Sequence, residues 1–103
     1  MNTRPSPPGL ILRQQFLSVL GITQKRLAIM LGVSRRTVSE IVNAHRSVTP
    51  DMAHRLARVF KTSPEFWLNL QQAVDLWDSF ESNEIRYRGI DAVASTQRPA
   101  SLK

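Results

Sequence analysis

Cysteine is absent from this sequence and histidine occurs only twice, as His45 and His54. Disulfide scaffolds, thiol nucleophiles, iron–sulfur clusters and thiolate zinc sites are therefore excluded. The two histidines have no partners at metal-ligand spacing, so no metal site and no cofactor is expected. No apolar run approaches the roughly 18 residues that cross a bilayer. Residues 1–9 hold three prolines and lack the apolar stretch of a secretory signal. Glycine is scarce as well, with four in 103 residues and no glycine-rich phosphate loop. No serine stands beside a histidine and an acid, and no spaced carboxylate pair marks a cleft, so the chain does not read as an enzyme or a binder of small-molecule substrates. The expectation is one cytoplasmic domain without membrane contact.

Positive charge is what the sequence has in excess. Lys and Arg number 14 against 8 Asp and Glu, giving a net charge of +6. Its distribution says more than its total. Residues 1–63 hold ten basic groups and two acidic ones, whereas residues 64–103 hold four and six. A strongly basic front half suits a polyanion such as nucleic acid, although a basic excess alone also serves solubility.

Apolar spacing is helical throughout, with no sustained alternation. A first helix is predicted over 9–20, with Leu12, Phe16, Val19 and Leu20 on one face and Gly21 as its stop. Thr23 is placed to cap a second helix through Leu27, Ala28 and Leu31, ending at Gly32. Ser34 is placed to cap a third, over 35–43, with Val38, Ile41 and Val42 inward. Thr49-Pro50-Asp51 and Ser63-Pro64-Glu65 each set a cap, a proline and an acid at a helix start. The fourth helix should bury Met52, Ala53, Leu56, Ala57 and Phe60. The fifth should bury Phe66, Trp67, Leu70, Ala73, Val74 and Trp77, reaching toward Phe80. Beyond Ser82 the periodicity fades, and 84–90 reads as a short extended piece before a loose tail over 95–103. The divisions expected are a flexible arm over 1–8, a helical domain over 9–80 and a partly disordered extension over 81–103.

Helices two and three are separated only by Gly32, Val33 and Ser34, the spacing of a helix-turn-helix over 24–43. Small Ala28 permits a close crossing, Gly32 makes the turn, and Val33, Val38 and Ile41 pack beneath. That leaves Arg35, Arg36, Thr37, Ser39, Glu40 and Asn43 outward, with no large apolar residue among them. Arginine can bond guanine twice in a major groove, and Ser or Thr can reach base edges or phosphate. A cation at a helix start opposes the helix dipole, so Arg35 and Arg36 point to an external anion. The bland alternative is a tight hairpin with a solvated polar face. Arg46 and His45, just past the helix, are placed near phosphate. Trp67, Leu70, Val74 and Trp77 are candidates for a dimer interface, although they could equally close the core.

Pro8-Gly9, Leu20-Gly21-Ile22-Thr23, Leu27-Ala28 through Leu31-Gly32-Val33-Ser34, Thr37-Val38-Ser39, Ile41-Val42-Asn43 and Leu56-Ala57 together resemble one family. So does the run Ser63-Pro64-Glu65-Phe66-Trp67-Leu68-Asn69-Leu70-Gln71. The chain is similar to the HigA/VapI-type antitoxins, within the lambda-repressor-like (XRE) helix-turn-helix superfamily, over residues 8 to 78. The resemblance implies an all-α, compact five-helix bundle and a homodimer that represses its own operon at an inverted-repeat operator in double-stranded DNA. It also implies a cognate HigB-type toxin, an RNA-cleaving protein of the RelE kind, for which the arm over 1–15 and the tail over 81–103 are the candidate docking segments. It places Gln24, Arg35, Arg36, Glu40 and Asn43 among the DNA-contacting positions, Arg35, Arg36 and Glu40 as base readers; Ser34, Thr37, Ser39 and Arg46 complete the candidate DNA-binding set. Ala44 and Ser47 stand where the family usually has glycine, so the turn there is expected to differ locally. Leu10 replaces a common acid. A stand-alone phage-type repressor without a toxin is the alternative reading.

Overall fold

The computed structural model describes residues 3–93. Among them there are five helices and no strand. We label them α1 (8–20), α2 (Gln24–Leu31), α3 (Arg35–Val42), α4 (Pro50–Phe60) and α5 (Pro64–Arg88). Four of the five begin as the residue types demand. The hydroxyls of Thr23, Ser34, Thr49 and Ser63 accept from the amides of Arg26, Thr37, Met52 and Phe66 at 3.0–3.2 Å. The all-α five-helix architecture is thus the one the sequence predicts.

Helix α1 departs from the expected phase. Its middle, Leu12–Leu17, is a π-helical segment between two short α-helical ends. Each π turn closes from i to i+5, so the buried pair is Leu12 and Leu17, five residues apart. Val19 and Leu20, expected inside, are consequently 73% and 57% exposed. Phe16 does point inward and joins Phe60, Phe66 and Trp67 in an aromatic cluster, with centroids 4.9 Å from Phe60 and 5.1 Å from Trp67. Trp67 is the largest fully buried side chain, and its indole Nε1 donates to Thr62 Oγ1 at 2.7 Å.

The core follows the predicted stripes of α2, α3 and α4 in Leu27, Ala28, Leu31, Val38, Ile41, Val42, Met52, Ala53 and Leu56, joined by Val48 from the α3–α4 loop. On α5 only Trp67 and Val74 are buried; Phe66 and Ala73, expected inside, are exposed, because the rest of the bundle covers a narrower face of this helix than its apolar residues span. At the other end of the bundle α1 meets α3 backbone to backbone. Gly9 is buried there, and a Cβ on it would lie 1.8 Å from the Ile41 carbonyl oxygen. Between α2 and α3, Gly32 adopts φ 73° and its amide closes onto Ala28 O at 2.9 Å.

The turn after α3 accepts strain where a detour was expected. Ala44 takes a left-handed φ of 60°, the conformation glycine would adopt freely. A non-glycine residue there costs about 1–2 kcal/mol. Ala44→Gly should therefore stabilise the fold, by about 1 kcal/mol after glycine's larger unfolded-state entropy is set against it. A shift of the urea midpoint to higher concentration checks this.

Residues 84–88 are helical, not extended, which corrects the expectation for 84–90. Asn83 leaves helical geometry (φ −129°, ψ 17°), but its side chain donates to Ser79 O at 3.0 Å and the helix resumes. Glu84 and Arg88 pair one turn apart at 2.8 Å, and Arg86 and Arg88 sit at the end where the helix dipole favours cations. The stretch has little burial to pattern its sequence: Ile85 is 81% exposed, and Tyr87 stacks on Phe80 of the same helix. The arm, expected to be flexible over 1–8, is fastened at Arg4, whose guanidinium grips both carboxylate oxygens of Asp78 at 2.9 Å; Pro8 already belongs to α1. The tail over 95–103 lies outside the described residues.

Candidate nucleic-acid interface

Helix α3 buries Val38, Ile41 and Val42 and turns Arg35, Arg36, Ser39, Glu40 and Asn43 away from them. Ser34 is committed to the cap: its Oγ accepts from Thr37 N at 3.0 Å and shares a hydrogen bond with Thr37 Oγ1 at 2.9 Å. Asn43 terminates α3 and its amide reaches Ser39 Oγ at 3.4 Å. Gln24 is the first residue of α2, half-buried beside its capping threonine.

The acid on this surface is not free. Glu40 Oε1 accepts from both Nε and Nη2 of Arg46, at 2.9 and 2.7 Å, while Oε2 accepts from Arg36 Nε at 3.0 Å. The Arg46 hydrogen bonds foremost, and then the Arg36 one, hold the Glu40 carboxyl below the usual carboxylate range. Arg36 thus has a partner on its own helix, which the dipole argument for an external anion did not foresee. Among the described residues Arg35 forms no ion pair, so the argument survives for Arg35 alone.

Two residues that hold the site were missed by sequence reasoning. Arg55 of α4 donates from Nη1 to Leu31 O at 2.7 Å and from Nε to Asp51 at 2.9 Å, tying α4 to the turn that sets the α2–α3 angle. The Asp51–Arg55 spacing of four was visible, but its reach to the turn, 24 residues away, was not. Gln71 of α5 accepts from Val48 N at 2.9 Å and so fixes the loop after α3.

The proposed interface tryptophan and valine are corrected. Trp67 and Val74 are buried within the protomer, Trp67 by the aromatic cluster. Leu70 and Trp77 remain half-exposed, and Leu76, Phe80, Ile85 and Tyr87 on the outer half of α5 are exposed.

A three-residue turn between capped helices, with a free arginine in the first turn of the second helix, defines a helix-turn-helix DNA-binding regulator. The helix-turn-helix family model matches residues 20–67. An uncharacterized HTH-type transcriptional regulator of Haemophilus influenzae is 49% identical over 78 residues, covering 76% of this chain and 73% of its own length. Antitoxin HigA-1 of Vibrio cholerae is 47% identical, over 74% of this chain and 71% of its own. A solved structure of the Pseudomonas aeruginosa antitoxin HigA with the higBA promoter superposes with a TM-score of 0.85 at 40% identity, covering 88% of this chain and all of that one. The chain belongs to the HigA-type antitoxin family of helix-turn-helix regulators. No helix among the described residues is long and apolar enough to cross a membrane.

Proposed function

We propose that this protein is a cytoplasmic antitoxin that neutralises a cognate HigB/RelE-type mRNA-cleaving toxin and represses its own operon as a homodimer on an inverted repeat. The observation that carries the DNA-reading part is Arg35, exposed, unpaired among the described residues and in the first turn of α3. The promoter complex of the Pseudomonas HigA supports operator binding, and the Vibrio HigA-1 supports a toxin partner. For the second copy, the outer half of α5 offers Leu76, Phe80 and Ile85 beside an acidic stretch, Asp75 to Glu84, followed by Arg86 and Arg88. Such a sequence is self-complementary when two copies cross antiparallel, as a two-fold interface requires.

Arg35→Ala should lower operator affinity by about 1–3 kcal/mol and relax preference at one base pair, with the melting temperature unchanged. Titration of the protein's own promoter and a footprint test this together, the half-site centres lying about 34–36 Å apart or at a multiple. Unaltered affinity in the variant would remove α3 as the reading element. Because the Haemophilus relative is described only as a regulator, the toxin is tested separately. Co-expression with the neighbouring reading frame should yield a co-purifying complex; a frame that neither poisons cells nor co-purifies would leave a stand-alone repressor.

A further inference from the structure

The resemblance would make Glu40 a base reader, yet its carboxylate is occupied on both oxygens by arginines of the same surface. One of these, Arg36, has a side chain 85% exposed, while that of Glu40 is 26% exposed and lies under the two guanidiniums. The helix itself gains little from this acid beyond its pair with Arg36 one turn back. Glu40 sits in the last turn of α3, where the dipole disfavours a negative charge.

We propose that Glu40 determines specificity by withholding charge: it engages Arg36 and Arg46, so that DNA must outcompete a carboxylate before either cation is released to it. This rests on the reading of α3 as the DNA-reading helix. The two arginines and the glutamate together present one net positive charge. A random duplex offers only phosphates, which meet a partly neutralised surface and a fixed negative charge. A cognate site that seats α3 in register brings base edges and phosphates to both arginines at once, and exchanges the intramolecular pairs for intermolecular ones. Discrimination then arises from a penalty on the wrong sequence as much as from contacts to the right one.

The test is titration of wild type, Glu40→Gln and Glu40→Ala against the protein's own promoter and a random duplex of equal length, over a range of salt. Both Glu40 variants should bind the random duplex about fivefold more tightly, the effect of removing one charge near a phosphate in water. Their slope of log K against log salt should steepen by roughly 0.9 for each arginine released to a phosphate. Promoter affinity should change less, so the promoter-to-random ratio falls. Glu65→Gln, which removes the same charge at the start of α5, should leave the slope at the wild-type value. A purely structural role would move the melting temperature and not the slope. Random-duplex affinity and slope equal to wild type would overturn the proposal, and a changed preference confined to one base pair would make Glu40 a base reader instead. If wild type itself failed to prefer its promoter, the operator reading would fall, while the Glu40 effect on random DNA would still be measured.

Discussion

Gly9→Ala is expected to destabilise the protein by about 3 kcal/mol, the upper end of what an overpacked methyl costs. The sign of this result is informative because two effects oppose each other. In an exposed helix the same substitution would gain about 1 kcal/mol from helix propensity. Here the added Cβ would sit 1.8 Å from the Ile41 carbonyl oxygen and 2.8 Å from its carbonyl carbon, and neither is the movable end of a side chain. Relief requires α1 and α3 to separate. Ile41 belongs to the helix that carries Arg35, so promoter affinity should fall along with stability. Urea denaturation checks the first and promoter titration the second. A variant more stable than wild type would mean that the two helices do not approach as closely as described.

Trp67→Ala should cost about 3–5 kcal/mol, as large aromatic truncations in cores do. The indole touches three phenylalanine rings drawn from α1, α4 and α5, so its loss opens a void shared by three helices. It also strands Thr62 Oγ1, which now accepts from the indole nitrogen. Trp67→Phe keeps a ring in the cluster and should cost markedly less. Chemical denaturation followed by circular dichroism measures both. An alanine variant within 1 kcal/mol of wild type would show that the cluster is not the core of the bundle.

What could be read in the sequence was whatever the backbone states locally. The four hydroxyl caps, the Gly32 turn and the buried stripes of α2, α3 and α4 follow from residue type and spacing within one turn. What could not be read was whatever depends on a partner far along the chain or on a competition between groups. The π segment of α1 leaves no mark in composition, yet it turned Val19 and Leu20 outward. Periodicity placed Glu40 on the outer face of α3 but could not show that Arg46, six residues on, would occupy it. Beyond Ser82 the apolar spacing of α5 does not match one helical face, and the last turns are held within the helix by pairs such as Glu84–Arg88 and Phe80–Tyr87.

Gln71 closes the run Pro64-Glu65-Phe66-Trp67-Leu68-Asn69-Leu70-Gln71, and its chemistry explains why the run ends on that letter. Its oxygen receives the Val48 amide while its nitrogen donates to Asp75 Oδ1, both at 2.9 Å. Only a group with an acceptor and a donor at the same tip can serve both. Glutamate would keep the first bond and set two carboxylates against each other; lysine or arginine would satisfy Asp75 and leave the amide facing a cation. Asparagine has the right atoms on a stem one carbon too short. A single amide thus acts as a polarised rivet between the loop after α3 and the next turn of α5.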